Sequence, residues 1–353
     1  MQSKNTETLN SPAINDTPIN LRVSLVLLLL VLILSVIVAA LLSVCIGVAG
    51  SSLSEVWSAV TNFSSESTIH QVIRELRFPR VVGAALVGAA LALSGAIMQG
   101  IGNNPFADTG LLGINAGAGF AVSLGMVLFV SASFRWVMLL SFLGATLGVI
   151  CTYGLGASGR KNATPIRLLL AGAAVSAFLN ALSQGLSLVF GLAKNLSFWQ
   201  SGSLNGITWE QIRIVSPWML IAIVFSVFLA PSLSVLALGE DSATGLGLPI
   251  KTVRLLGIVI SLVLAGCSVS IAGGISFLGL LIPHIARFLV GADYRRILPV
   301  TALSGSLLMI LADLCGRMIN APYDTPVGAL VSVIGVPFFL SLTYRKRKEG
   351  LGT

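Results

Sequence analysis

Few residues in this chain have side chains suited to chemistry, and they stand out because their surroundings are apolar. Asp313 and Arg317 lie four residues apart in the run LADLCGRMI. A helix would put them on one face, within reach of an ion pair. A carboxylate inside an apolar span is also a candidate coupling-ion or proton site. Arg77 and Arg80 bracket RFPR at the entry of a second apolar run, with Arg74 just upstream. That run leaves through NNPFAD, which is polar and turn-forming. A third polar island, LGEDSATGLGLPIKTVR (238–254), starts acidic and ends basic. Residues 242–246 can form a short helix there, with Gly245, Gly247 and Pro249 as breakers, and the loop can either dock a soluble partner or simply connect two spans. His284 beside Pro283 suits a broken helix better than a metal, and His70 is far from it in sequence.

Enzyme chemistry has little to work with. Nowhere is Gly-Lys followed by Ser or Thr, so no P-loop is present, and neither HExxH nor GxSxG occurs. The four cysteines, Cys45, Cys151, Cys267 and Cys315, lie in or near apolar segments without CxxC spacing, and read as buried thiols. The net charge of +8 does not argue for nucleic acid, because the basic residues sit at the ends of apolar runs.

The elements that must position these residues are membrane helices. Hydrophobic residues make up 55% of the chain and charged ones 10%, against about 25% charged in soluble domains. The fold class is all-α: a polytopic integral membrane protein with ten spans, near 22–45, 80–101, 110–130, 136–156, 166–190, 214–236, 251–272, 275–291, 298–319 and 326–344. The eighth is short and carries Pro283, as a tilted or broken helix buried among its neighbours would. A polar leader over 1–20 precedes one integral domain over 21–348. The apolar run at 23–44 is too long for a signal peptide and no small-x-small site follows it, so it reads as the first span. Basic residues gather at 160–167, 251–254, 295–296 and 345–348, which places both termini inside by the positive-inside rule. Arg74, Arg77 and Arg80 form a cluster on the outer side.

Two glycine pairs, Gly113/Gly117 and Gly144/Gly148, have GxxxG spacing and predict close helix packing. The second span with its NPFAD exit resembles the seventh span with GGISFLG after it, as in an inverted repeat. The outer segment 202–211 is flanked by Trp199 and Trp209, suited to a membrane interface.

Several motifs together resemble one family. RFPR, ALSGAIMQG, NNPFADTGLLG, RLLLAG, LALGEDSATGLGLP, GGISFLGLLIPHIARFLVG, DYRRILP, LAD and DTPVGALVSVIGVPFF follow one another between residues 70 and 345 in the order and spacing of the iron-siderophore and cobalamin permease family (FecCD family) of ABC importers. The resemblance implies a ten-helix permease in a bacterial cytoplasmic membrane that dimerises with an identical or paralogous permease around a central pathway. It implies an extracytoplasmic binding protein docking outside on Arg77, Arg80 and Arg317. It implies ATPase subunits inside, fitted to a coupling loop of Gly239, Glu240, Asp241, Gly245, Gly247 and Pro249. The inner gate would include Asn104, Phe106 and Thr164, although the 163–166 run departs from the family's small-polar pattern. No cofactor is implied on this chain, since ATP is used by the partner subunits. The cargo implied is an iron-siderophore, with haem or cobalamin as alternatives. An ion-coupled secondary transporter using Asp313, or a membrane scaffold without transport, are the readings outside this family.

Overall fold

The computed structural model describes residues 25–46, 52–108, 110, 113–129, 133–157, 165–192 and 199–350. The polar leader expected over 1–20 and the gate residue Thr164 lie outside the described residues. The described chain is helical, with no strand in it. The helices are α1 (Leu25–Cys45), α2 (Leu53–Thr61), α3 (Thr68–Gln71), a π-helical segment (Val72–Arg77), α4 (Phe78–Ile101), α5 (Ile114–Leu128), α6 (Phe134–Ala157), α7 (Pro165–Val189), α8 (Trp209–Leu236), α9 (Glu240–Gly245), α10 (Ile250–Ala272), α11 (Leu278–Val290), α12 (Tyr294–Ile319) and α13 (Val327–Gly350). Seven helical stretches are long and apolar enough to cross a membrane. Three shorter apolar helices, α5, α11 and the first part of α13, bring the total to the ten expected.

The bundle is built around α4. Most of its residues are buried, whereas α1 shows its leucines and valines on nearly every side. A helix apolar all round belongs in lipid or in a core, and these two helices illustrate the two cases. Against α4 run α12 and α10, both antiparallel. Arg80 meets Asp313, Gly88 meets Gly305 and Gly100 meets Tyr294 along α12. Along α10, the Ser261 hydroxyl donates to Ser94 O at 3.3 Å, and Gly257 packs on Ile97 and Ile101.

Close approach rests on glycine. A Cβ on Gly88 would overlap the Gly305 carbonyl, and one on Gly95 would overlap the Gly279 backbone. The two GxxxG pairs face each other: Gly117 meets Gly144 and Gly113 meets Gly148, where α5 crosses α6.

The eighth expected span is a half-helix. After α10 ends, residues 273–277 run through the bundle without helix, and α11 then covers 13 residues, about 20 Å. Backbone left open at that depth needs partners inside the protein. Gly274 N–H donates to Trp199 O at 3.2 Å, and Asn115 Nδ2 donates to Ile275 O at 3.4 Å. Pro283 sits inside α11.

Between the first two spans the chain is more ordered than its polarity suggests. Ser52 and Glu55 form a capping box that starts α2, and α3 continues through the π segment straight into α4. The π segment has a local cause. Pro79 has no N–H, and in a regular helix its ring would strike the carbonyl four residues back. Here the backbone widens, and the Phe78 N–H reaches five residues back to Ile73 O.

Candidate functional site

At the N-terminal end of α4, three arginines and two aspartates converge. Arg80 Nε donates to Asp313 Oδ1 and Oδ2 at 2.9 and 3.1 Å. Its Nη1 and Nη2 each lie 3.2 Å from an oxygen of Asp324, in the turn before α13. Arg317, one turn beyond Asp313 on α12, puts Nε 3.3 Å from Asp313 Oδ2. Its Nη atoms donate to Ile46 O at 3.2 Å, Ser43 O at 2.9 Å and the Ser43 hydroxyl. Arg77 Nη1 donates to Val44 O at 2.6 Å and Cys45 O at 3.3 Å.

Each contact answers a need. Asp313 has no exposed surface, so its charge must be compensated from within, and two guanidiniums do so. A planar guanidinium can face two carboxylates with separate nitrogens held in a fixed fork, which an ammonium's single nitrogen cannot. The last carbonyls of α1 have no helical donor of their own. Arg77 and Arg317 supply donors, and their positive charge matches the negative end of the helix dipole. The cluster therefore ties α1, α4, α12 and the approach to α13 into one end of the bundle. With three arginines and two aspartates it keeps one net positive charge.

The three arginines expected to dock a partner thus meet in space, but each spends donors on this chain. Arg74 is the exposed member of the group. Its guanidinium lies over the Phe63 ring, 4.7 Å from the centroid, and its carbonyl accepts from the Trp209 indole at 2.8 Å. Asp324 was not singled out by sequence. The signal for it was indirect: a buried arginine needs more than one acceptor, and the DTPVGAL motif opens with an acid at this end of the bundle.

The opposite end of α4 leads into the expected gate. Asn104 Oδ1 accepts from the Phe106 N–H at 3.0 Å, which closes the turn around Pro105. The Phe106 ring meets Phe339 of α13 edge-on, with centroids 5.8 Å apart. His284 of α11 meets Phe338 in the same manner at 5.9 Å. The loop then climbs into the bundle, and Asp108 Oδ1 lies 2.7 Å from where a Cβ on Gly279 would stand. A carboxylate there faces the first turn of α11, the positive end of that helix. Gln99 Nε2 donates to Gly279 O at 3.0 Å. The two breaks matched as a repeat, after α4 and after α10, therefore touch each other.

The expected coupling loop lies at this same end. Its helix is α9, Glu240–Gly245, two residues earlier than the 242–246 expected, because Gly239 at φ +106 lets the chain turn directly into it. Gly247 at φ +77 ends it, and Pro249 precedes α10. Arg254 of α10 pairs with Glu240 and donates from Nε to Ile101 O at 3.1 Å. Nearby, Asp293 caps α12. Burial pushes its carboxyl up, but hydrogen bonds from the Arg295 N–H and the Ser234 hydroxyl, with the charges of Arg295 and Arg296, outweigh this and hold it below the usual carboxylate range. Among the described residues, no three His, Cys, Asp or Glu side chains gather to hold a metal ion.

Ten apolar helices in one bundle, with a charged knot at one end and a half-helix and a short surface helix toward the other, make a multi-pass membrane protein. The chain belongs to the FecCD transport family, whose model matches residues 28–345. It is 44% identical over 309 residues to the iron(3+)-hydroxamate import system permease protein FhuB of Bacillus subtilis, covering 88% of this chain and 80% of that one. It is 38% identical over 315 residues to the ferric enterobactin transport system permease protein FepD of Escherichia coli, covering 89% and 94%. A solved structure described as an inward-facing conformation of a metal-chelate type ABC transporter superposes with a TM-score of 0.77 at 29% identity, covering 90% of this chain and 98% of that one.

Proposed function

We propose that this chain is the permease subunit of an ATP-driven importer that carries a ferric siderophore across the bacterial cytoplasmic membrane. The observation that carries the reading is the family match over nearly the whole membrane bundle, together with relatives whose names specify ferric chelates. A ferric hydroxamate is the first cargo to test, ahead of haem and cobalamin, given the 44% identity to a hydroxamate import permease.

In this reading the Arg77 end of α4 faces outward and receives the loaded binding protein. Arg77, Arg80 and Arg317 shape that face and give it positive charge, and acidic side chains on the binding protein complement it. The Ile101 end and both termini face the cytoplasm. ATPase subunits take α9, with Glu240, Asp241 and Gly245, and its flanking Gly239, Gly247 and Pro249 into a cleft and supply the hydrolysis, while this chain holds no cofactor. A second permease, identical or paralogous, completes the pathway. Movement of α4, α7 and α11 opens the gate near Asn104, Phe106 and Thr164. Asp313 is bonded to two arginines of its own chain, which gives an ion-coupled mechanism no spare carboxylate at that position.

The test is uptake of a radiolabelled ferric hydroxamate into proteoliposomes holding this chain with its ATPase and binding protein. Uptake is expected to require ATP and to survive a protonophore. Accumulation driven by a proton gradient without the ATPase would overturn the reading. Competition by unlabelled haem or cobalamin would reassign the cargo.

A further inference from the structure

We infer that Arg254 is the positioning residue that links the partner-docking helix α9 to the gate loop after α4. The inference rests on the permease reading above and adds to it a route by which motion at α9 reaches the gate.

The geometry is direct. Arg254 lies one turn into α10 and holds two acceptors on two different elements. One is the Glu240 carboxylate, the first residue of α9. The other is Ile101 O, 3.1 Å from Nε, on the last residue of α4. Ile101 O is among the carbonyls that a helix end leaves without a donor of its own. The gate loop starts at the next residue and hangs on the same helix end. Gly102 N–H donates to Met98 O at 3.0 Å, and Asn104 N–H to Gln99 O at 3.2 Å. Asn104 in turn holds the Phe106 N–H. A shift of the Ile101 carbonyl therefore displaces the loop within a few residues.

The surroundings make this link a mechanical one. α9 is six residues long and lies between two glycines at positive φ, Gly239 (+106) and Gly247 (+77), so the chain turns sharply on both sides of it. Arg254 supplies the side-chain connection from that short segment to α4. On the α4 side the joint is tight, since a Cβ on Gly257 would lie 2.6 Å from Ile101 Cγ2. A side chain near the surface gains little stability from an ion pair. What it gains is geometry, because the planar guanidinium fork fixes two acceptors at once, whereas a lysine offers a single nitrogen.

The test uses the complete transporter, with ATPase and binding protein, in lipid. The readout is ferric hydroxamate carried per ATP hydrolysed, with the melting temperature of the complex measured in parallel. Arg254→Gln is expected to lower the cargo carried per ATP about tenfold, equivalent to about 1.4 kcal/mol, while ATPase subunits still copurify and the melting temperature holds. Arg254→Lys, which reaches one acceptor at a time, should fall between. Wild-type cargo per ATP in Arg254→Gln would overturn the inference. So would a loss that merely tracks a lowered melting temperature. If Arg254→Gln fails to assemble, full coupling in Arg254→Lys would overturn it instead. A wild-type transporter whose uptake ignores ATP would sink the permease reading, an outcome distinct from all of these.

Discussion

Asp313 is the residue on which the charged end of the bundle depends. It is fully buried and holds Arg80 and Arg317, neither of which has an alternative carboxylate as close. Removing one partner of a buried ion pair strands the others, at a typical cost of about 3–5 kcal/mol. Asp313→Ala should lower stability by that order in detergent unfolding, and α1 should become more accessible to protease near Ser43, where Arg317 is anchored. Asp324→Ala should cost clearly less, because Asp324 is partly exposed and Arg80 keeps its Nε shared between both oxygens of Asp313. Equal losses from the two variants would show that the cluster does not centre on Asp313. The Asp313–Arg317 pair was legible from a four-residue spacing in an apolar run. The link to Arg80 was not, because it joins residues more than two hundred positions apart and depends on how α4 and α12 align. For the same reason sequence could group Arg77, Arg80 and Arg317 but could not show that their donors turn inward, nor that Arg254 bridges two elements.

Helix contacts here depend on the absence of side chains. Where α4 crosses α12, Gly88 and Gly305 bring backbone against backbone, and where α4 crosses α11, Gly95 and Gly279 do the same. Backbone cannot yield as a rotamer can, so a methyl group at either crossing must push helices apart. Gly95→Ala should cost toward the upper end of the ~1–3 kcal/mol typical of overpacking. It should also disturb the loop over 102–108, since Gly279 is where Gln99 and Asp108 converge. Gly185→Ala in α7, whose Cβ would meet nothing within 4 Å, is the matched control and should unfold at or slightly above the wild-type midpoint, since alanine is the better helix former. Similar midpoints for the two variants would refute the packing argument. These crossings explain how far the fold could be read in advance. Span number and type followed from apolar run length, and GxxxG spacing marked α5 and α6. The half-helix character of α11 was suggested by Pro283 and a short run. The helices of 53–77 were missed, because their sequence is polar enough to read as a connector and their order comes from a capping box and from continuity with α4.

At the scale of the whole molecule, α4 connects two kinds of surface. Its 24 residues span about 36 Å, from the arginine cluster to the proposed gate loop. The knot at Arg80 fixes one end to α12 and to the turn before α13, and Arg254 and Gln99 fix the other to α10 and α11. A partner that presses on one end therefore meets a rod rather than a loop. The proposed docking of a binding protein can be tested without unfolding that rod. Charge reversal at Arg80 would place a third carboxylate beside Asp313 and Asp324, so loss of binding there would be ambiguous. Arg74 avoids the problem, being exposed and outside the ion-pair cluster. An exposed ion pair contributes ~0.2–1 kcal/mol, and reversal replaces attraction with repulsion. Arg74→Glu should therefore weaken binding-protein affinity roughly threefold to tenfold, mostly through a slower association rate, with the effect shrinking as salt rises. Wild-type affinity and an unchanged salt dependence in a correctly folded Arg74→Glu variant would move the docking site away from this end of α4.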